Sequence, residues 1–142
     1  MTDDCIFCAI IAGEIPGHVV YEDDETFAFL DANPLARGHT LVVPREHHVY
    51  VQDMPAETAE AVFATMHRLI PAIEAAVDAD ATTVGFNNGT AAGQEVPHVH
   101  GHVVPRFEGD GSGAIHALFT GQKDLDDDEL AAIAGDIEDA TS

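Results

Sequence analysis

The run His98-Val99-His100-Gly101-His102 places one side-chain type at every second position. Residues two apart share a face only in an extended chain, so the alternation predicts a strand over His98–Val104. Three imidazoles would then line one side, with Val99 and Gly101 on the other. The run continues into Val103-Val104-Pro105, which marks a sheet buried on one face. Imidazoles in a core leave polar nitrogens needing partners and bury little apolar area, so packing alone does not account for them. A solvent-facing or chance stripe is the bland alternative, and the apolar continuation argues against it. Imidazole also suits zinc and other transition metals. Alternate strand positions, however, lie roughly 6.6 Å apart while zinc–nitrogen bonds are about 2.0 Å. One ion cannot collect all three histidines without a bend.

The rest of the chain supplies a sheet and a helix for this strand. Val19–Tyr21 and Thr26–Leu30 read as strands parted by the acidic turn Glu22-Asp23-Asp24, and Thr40–Val43 as a buried strand between Gly38 and Pro44. From Ala56 to about Val77, apolar residues fall at 59, 62, 63, 66, 69, 70, 73 and 77. That is helical spacing, with Asp53 as the expected cap and Pro55 near the first turn. Pro71, inside the pattern, is expected to kink or briefly interrupt the helix. Val84–Asn87 is a further strand, separated from the histidines by the loop Asn88-Gly89-Thr90-Ala91-Ala92-Gly93. Cys5–Gly13 reads as a short apolar turn or helix, and Asp126 to about Asp139 as an acidic terminal helix. Strands gathered around one long helix predict an α+β layer fold with a largely antiparallel sheet. A chain of 142 residues with no repeat or linker fits one domain, 1–142, with a core that needs no disulfide.

Charge narrows the partners. Twenty-six acidic residues face five basic ones, Arg37, Arg45, Arg68, Arg106 and Lys123, for a net charge of −21. Such a domain repels itself at ordinary ionic strength and becomes tolerable where salt shortens the Debye length to about 3 Å, near 1 M. The scarcity of lysine therefore reads as adaptation to a very salty, halophilic cytoplasm. A surface that mimics or binds a basic partner is the rival, disfavoured because the acids run along the whole chain. Nucleic acid is not an expected partner, since phosphate backbones need basic patches. Any phosphate-bearing ligand should be small and held in a pocket. No stretch of about twenty apolar residues predicts a membrane span, and the acidic start Met1-Thr2-Asp3-Asp4 lacks the look of a signal peptide. A cytoplasmic protein is the expectation.

Upstream of the histidines lies Asn87-Asn88-Gly89-Thr90-Ala91-Ala92-Gly93-Gln94-Glu95-Val96-Pro97, a glycine-bearing loop that offers N–H groups and amides to a phosphate. Within it stands Ala92-Gly93-Gln94, and two further stretches are in register with it: His39-Thr40-Leu41-Val42-Val43-Pro44 and Cys5-Ile6-Phe7-Cys8-x-Ile10. Together with His-x-His-x-His followed by two apolar residues, they resemble the signature of the histidine-triad (HIT) family from about Cys5 to Arg106, closest to its Hint-like, phosphoramidase branch. The resemblance implies a HIT-like fold, with a core over about 5–106 and an acidic C-terminal extension over 107–142. It also implies a nucleotide hydrolase or transferase working at the α-phosphorus, with a purine nucleotide derivative as substrate, and a homodimer whose sheets join edge to edge.

By position, the resemblance makes His100 the nucleophile that forms a covalent phosphoramidate, a role that neutral imidazole suits near pH 7. His102 would stabilise charge on the phosphate oxygens, Gln94 and Asn87 would hold the same phosphate, and His39 would orient the other histidines. Asp31 matches the ribose-binding acid, while Ile6, Phe7, Ile10 and Phe29 resemble the wall around the base; each could equally be ordinary core or turn. Many microbial members hold zinc through a Cys pair and two histidines, here Cys5, Cys8, His47 and His98. Such a closed Cys₂His₂ set is structural, with no open position. A thioredoxin-like role for Cys5-x-x-Cys8 lacks its usual context, and an intracellular disulfide is not expected. His18, His67 and His116 carry no motif and are assigned to surface or packing.

Two positions depart from the pattern. Glu95 stands where the phosphoramidase branch has a serine at the leaving group, and an anion there disfavours a negatively charged leaving group. Gly101 replaces an apolar residue and weakens the strand unless a neighbour approaches closely. The leading expectation is hydrolysis of a nucleoside phosphoramidate or related nucleoside monophosphate derivative. Its rivals are dinucleoside polyphosphate hydrolysis or nucleotidyl transfer, a nucleotide-binding regulator, and, weakest, a purely structural zinc module.

Overall fold

The computed structural model describes residues 4–141; residues 1–3, on which the signal-peptide reading rests, lie outside them. Contacts divide the chain into two compact units, one ending at Asp110 and one beginning at Gly111.

In the first unit, β1 (Val19–Glu22), β2 (Thr26–Leu30), β3 (Thr40–Pro44), β4 (Ala81–Phe86) and β5 (Gly101–Arg106) form one sheet in the order β1-β2-β3-β5-β4. Every neighbouring pair is antiparallel. Alternation along β2 and β3 feeds two apolar layers. Ala28 and Val42 face one way, against Val62, Met66, Leu69 and Ile73 of α2 (Ala56–Val77), and Val99 and Val103 join them. Phe27, Phe29, Leu41 and Val43 face the other way, where Phe7 of α1 (Ile6–Ile11) packs among them. Both faces of the central strands are therefore buried, each such side chain contributing about 1.5–3 kcal/mol relative to exposure. The expected α+β architecture, with a long helix on an antiparallel sheet, is the one found.

Several local expectations need correction. The hydrogen-bonded strand begins at Gly101, not His98. The N–H groups of the preceding segment are spent elsewhere, His98 N–H on the Val96 carbonyl (2.8 Å) and Val99 N–H on the His48 carbonyl (2.8 Å). The side-chain alternation survives all the same, with Val99 and Val103 in the α2 layer and the three imidazoles in a row on the opposite side. β4 starts three residues earlier than expected and ends at Phe86, leaving Asn87 in the loop. Asp53 does not cap α2; it closes a single 3-10 turn, Val51–Asp53, by accepting from Tyr50 N–H at 3.2 Å, and Pro55 takes the cap position. α2 runs through Pro71 as one helix of 22 residues. The proline only leaves the His67 carbonyl without its usual donor, a loss that an otherwise well-packed helix absorbs.

Gly101 has a steric reason. A Cβ there would stand 2.8 Å from Phe86 Cζ and 2.9 Å from Met66 Sδ. Phe86 is its cross-strand partner, so the aromatic ring occupies the room a side chain would need.

The second unit carries α3 (Asp127–Ala140). Asp126 and Glu129 form a reciprocal capping box at its start, and the acidic first turn Asp127-Asp128-Glu129 complements the helix dipole. Among the described residues no helix is long and apolar enough to cross a membrane.

Candidate active site and metal centre

α1 begins at the metal candidate. Cys5 caps the helix, its Sγ accepting from Cys8 N–H at 3.3 Å, so the Cys-x-x-Cys spacing turns both sulfurs toward one point. Across from them, His98 Nδ1 lies 3.2 Å from Cys5 Sγ and 3.5 Å from Cys8 Sγ, and His47 Nδ1 lies 3.5 Å from Cys8 Sγ. The four ligand atoms all fall within 4.8 Å of one another. Zinc bonds of about 2.0–2.3 Å to nitrogen and sulfur give tetrahedral edges of roughly 3.5 Å, so the cluster matches a Cys₂His₂ centre in size and donor type.

Second contacts support the same reading. His98 Nε2 donates to the Pro44 carbonyl at 2.9 Å, which leaves Nδ1 bare and facing the sulfurs. Without a cation these groups sit in an uncomfortable place. Burial, with the neighbouring Cys5 thiol, pushes the Cys8 thiol up to about 12. Burial pushes His98 down to about 4, and lowers His47 as well. A divalent ion reverses the cost for the thiols and has no quarrel with neutral imidazole.

The other two histidines of the run are held by a different chain of bonds. Leu35 N–H donates to His39 Nδ1 at 3.0 Å, so the His39 proton sits on Nε2. That Nε2 is 3.0 Å from His102 Nδ1 and 3.6 Å from an Asp31 carboxylate oxygen. His102 thus accepts at Nδ1 and carries its own proton on Nε2, a buried atom with no partner among the described residues. Burial, reinforced by His100 and His39, pushes His102 down to about 4; burial also lowers His39. Both rings are neutral at pH 7.

His100 is oriented by its own chain. Its Nδ1 donates to the His98 carbonyl at 2.8 Å, which leaves the Nε2 lone pair uncommitted. Its ring lies 5.1 Å from that of His102 and 5.0 Å, edge to face, from Phe7. A ring with a bare nitrogen therefore stands beside a ring that carries an N–H donor, a pairing suited to nucleophilic attack on a phosphoryl group.

The remaining candidates are placed unevenly. Phe7 and Phe29 meet edge to face at 5.4 Å, and Ile10 packs on the same apolar layer. Ile6 is 47% exposed, on the open side of α1. Asp31 accepts from Asn33 N–H and remains partly open. Asn87 is exposed, and its amide makes no hydrogen bond among the described residues. His39 lies 3.0 Å from His102 and 3.6 Å from Asp31; among the described residues no hydrogen bond or ring contact joins it to His98 or His100. Gln94 is buried and its amide is taken up by Gly89 N–H and by the carbonyls of Val49 and Val96. His18, His67 and His116 are exposed. The carbonyls of Pro44 and His98 and the N–H of Leu35, which fix the three tautomers, had no sequence signal, because every residue type carries such groups.

A five-stranded antiparallel sheet carrying this histidine row defines the class, and the match to known proteins agrees. The HIT domain family matches residues 12–109, and the chain belongs to that family, the histidine-triad nucleotide hydrolases and transferases. It is 47% identical over 107 residues to an uncharacterised HIT-like protein of Methanocaldococcus jannaschii, covering 75% of this chain and 82% of that one. It is 39% identical over 110 residues to an adenylylsulfatase of Arabidopsis thaliana, covering 78% of this chain and 56% of the relative. Among solved structures, a protein from Streptococcus mutans superposes with a TM-score of 0.91 at 37% identity, covering 100% and 88% of the two chains. A zinc-bound histidine triad protein from Mycobacterium smegmatis superposes with a TM-score of 0.74 at 35% identity, covering 99% of each.

Proposed function

We propose that the protein hydrolyses a nucleoside phosphoramidate, or a related nucleoside monophosphate derivative, through a covalent nucleotidyl-His100 intermediate. The observation that carries this is the tautomer arrangement: His100 Nδ1 bound to the His98 carbonyl, Nε2 bare, and the unpaired His102 Nε2–H beside it. His100 Nε2 attacks the α-phosphorus and forms a P–N bond, while the bond from phosphorus to the leaving group breaks and the leaving group takes up a proton. Water then attacks the same phosphorus and releases to solvent a proton that balances the one the leaving group took up; the P–N bond to His100 breaks with its electron pair returning to Nε2, and a nucleoside monophosphate leaves. His102 N–H, backed by His39, donates to the phosphate oxygens as charge builds on them, and Asn87 supplies an amide at the mouth of the loop. Asp31 is the carboxylate available to sugar hydroxyls, and the exposed Ile6 with the half-buried Ile10, which packs on the buried Phe7 and Phe29, offers apolar surface to a purine.

The arrangement at His100 serves dinucleoside polyphosphate cleavage or nucleotidyl transfer equally well. Glu95 favours the first reading: exposed on the loop just before the histidines, it places an anion where a polyphosphate leaving group would need a donor. The adenylylsulfatase activity in the Arabidopsis relative's name supports attack at a nucleotide phosphorus. Cys5, Cys8, His47 and His98 hold a structural zinc ion in this reading, which the zinc-bound relative supports. Bound there, zinc ties α1 to the segment that bears His98; it supplies no step. We further place the protein in the cytoplasm as a homodimer, the family's habit. The test is trapping: incubation with a labelled adenosine phosphoramidate, acid-free quench and mapping of the label. A label on His100 supports the mechanism; none in wild type or in a hydrolysis-slowed variant refutes it. Parallel turnover of a diadenosine polyphosphate separates the two leaving-group classes.

A further inference from the structure

We infer that Gln94 is a positioning residue that frames the phosphate-facing loop from within and does not contact the phosphate. This rests on the function proposed above.

The geometry leaves Gln94 little to offer a ligand. Between β4 and β5 the chain makes one 3-10 turn, Thr90–Ala92, flanked by Gly89 and Gly93 at φ of 101° and 96°, backbone that side chains rarely adopt. Gln94 closes this turn twice. Its backbone N–H donates to the Gly89 carbonyl at 3.1 Å, and its Oε1 accepts from Gly89 N–H at 2.7 Å. Nε2 then donates to the Val49 carbonyl at 2.8 Å and the Val96 carbonyl at 3.1 Å. An amide nitrogen has two hydrogens, and both are used. The residue is 8% exposed.

Those bonds reach the chemistry at second hand. The Val96 carbonyl held by Gln94 also accepts from His98 N–H, and the His98 carbonyl holds His100 Nδ1. The Val49 carbonyl belongs to the segment that bears His47 and His48, and the His48 carbonyl accepts from Val99 N–H. Asn88 adds a second clip, accepting from Val51 N–H at 2.9 Å and donating to Gln52 at 2.9 Å. Gln94 therefore joins the loop turn, the segment after β3 and the approach to the nucleophile at one amide. Gly89 N–H, which an empty glycine loop would present to an anion, is consumed in the same arrangement.

Two variants separate the roles. Gln94→Glu keeps the acceptor for Gly89 N–H but turns a second oxygen on the Val49 and Val96 carbonyls; Gln94→Met removes all three bonds at nearly constant volume. The measurements are backbone amide exchange in the ligand-free protein, steady-state kinetics, and affinity for the product nucleoside monophosphate. The positioning role predicts that Gly89 stays protected in Gln94→Glu and loses protection in Gln94→Met. In both, kcat falls by about a hundredfold through misplacement of His100, while in Gln94→Glu, which keeps the Gly89 turn, monophosphate affinity stays within about threefold of wild type because no contact is lost. A collapse of monophosphate affinity in Gln94→Glu, an anion set against a phosphate, would overturn the inference. So would unchanged Gly89 protection in Gln94→Met, or an unchanged kcat in either variant. Melting curves for both variants confirm that the fold is intact. If wild type forms no adduct on His100, the proposed function fails and takes the positioning role with it; if it does, the variants decide Gln94 alone.

Discussion

At the scale of single residues, the structure turns three chemically identical side chains into three different groups. His98 has its free nitrogen toward two thiols, His100 has a bare lone pair, and His102 presents an N–H. The alternation in the sequence made the row legible, and the resemblance assigned the roles. What sequence could not show was the partner that sets each tautomer, a carbonyl for His98 and for His100 and the His39 N–H for His102. The row makes a pH prediction through His102. Its folded-state value near 4 lies below the ordinary 6.5, so the unfolded chain binds the extra proton between those limits. Stability contributed at this position is complete above pH 6.5, falls as the pH drops toward 4, and changes no further below that. The other acids also titrate in that range, so the measurement is a difference: melting temperatures of wild type and His102→Gln from pH 4 to 7 at constant high salt. Wild type should lose more stability than the variant on acidification; parallel curves would remove the buried, neutral His102 from the account. The second residue-scale prediction concerns metal. Cys8→Ser should weaken zinc binding beyond the 10–100-fold typical of losing an outer contact, since a ligand itself is removed, roughly 10²-fold or more. Competition against a chromophoric chelator reads this directly. Equal affinity in wild type and variant would exclude Cys8 as a ligand.

At the scale of elements, strands and helices were easier to place than their ends. α2 was visible in its apolar period, and β2 and β3 in their buried runs between turn residues. The misplaced boundaries share a cause. His98 and Val99 look like strand, yet their N–H groups are drawn off by the Val96 and His48 carbonyls; Asp53 looks like a cap, yet its carboxylate serves the turn before the helix. Side-chain type was read correctly in both places, while the competing partner lay far away in sequence or one turn earlier. Gln94 repeats the lesson: an amide beside a glycine loop suggests a phosphate ligand, and only the fold shows three partners already in place. Gly101 gives the element-scale prediction. Adding a methyl group brings a Cβ to 2.8 Å from Phe86 Cζ and 2.9 Å from Met66 Sδ. Gly101→Ala should destabilise the protein by about 1–3 kcal/mol, the usual cost of overpacking. Combining it with Phe86→Leu should return part of that loss, because the two residues face each other across β4 and β5 and so do not behave additively. Denaturant unfolding of the four proteins in the cycle measures the coupling; strict additivity would mean that the ring yields without cost.

At the scale of the whole molecule the governing quantity is the charge of −21. Ion pairing offsets little of it. Arg106 holds Asp110 at 2.8 Å and Arg45 reaches Glu22 at 3.3 Å, both near the surface, where water and salt screen the attraction. Five basic residues cannot neutralise twenty-six acids in any arrangement. Compaction brings the surplus carboxylates closer together than they are in the unfolded chain, so self-repulsion weighs against the folded state. Screening is the available relief: the Debye length falls from about 10 Å at 0.1 M to about 3 Å at 1 M salt. The melting temperature is therefore expected to climb between dilute buffer and about 1 M potassium chloride, most steeply at the low end where the Debye length changes fastest. Sodium chloride should match it, since screening depends on ionic strength and not on which cation supplies it. A further rise confined to sulfate above that concentration would report exclusion of the salt from the protein surface, a separate effect. The sign of the low-salt limb decides the matter. A chain as stable in dilute buffer as in molar chloride would show that its acids are spaced widely enough for water alone to screen them, and the scarcity of lysine would then need another explanation.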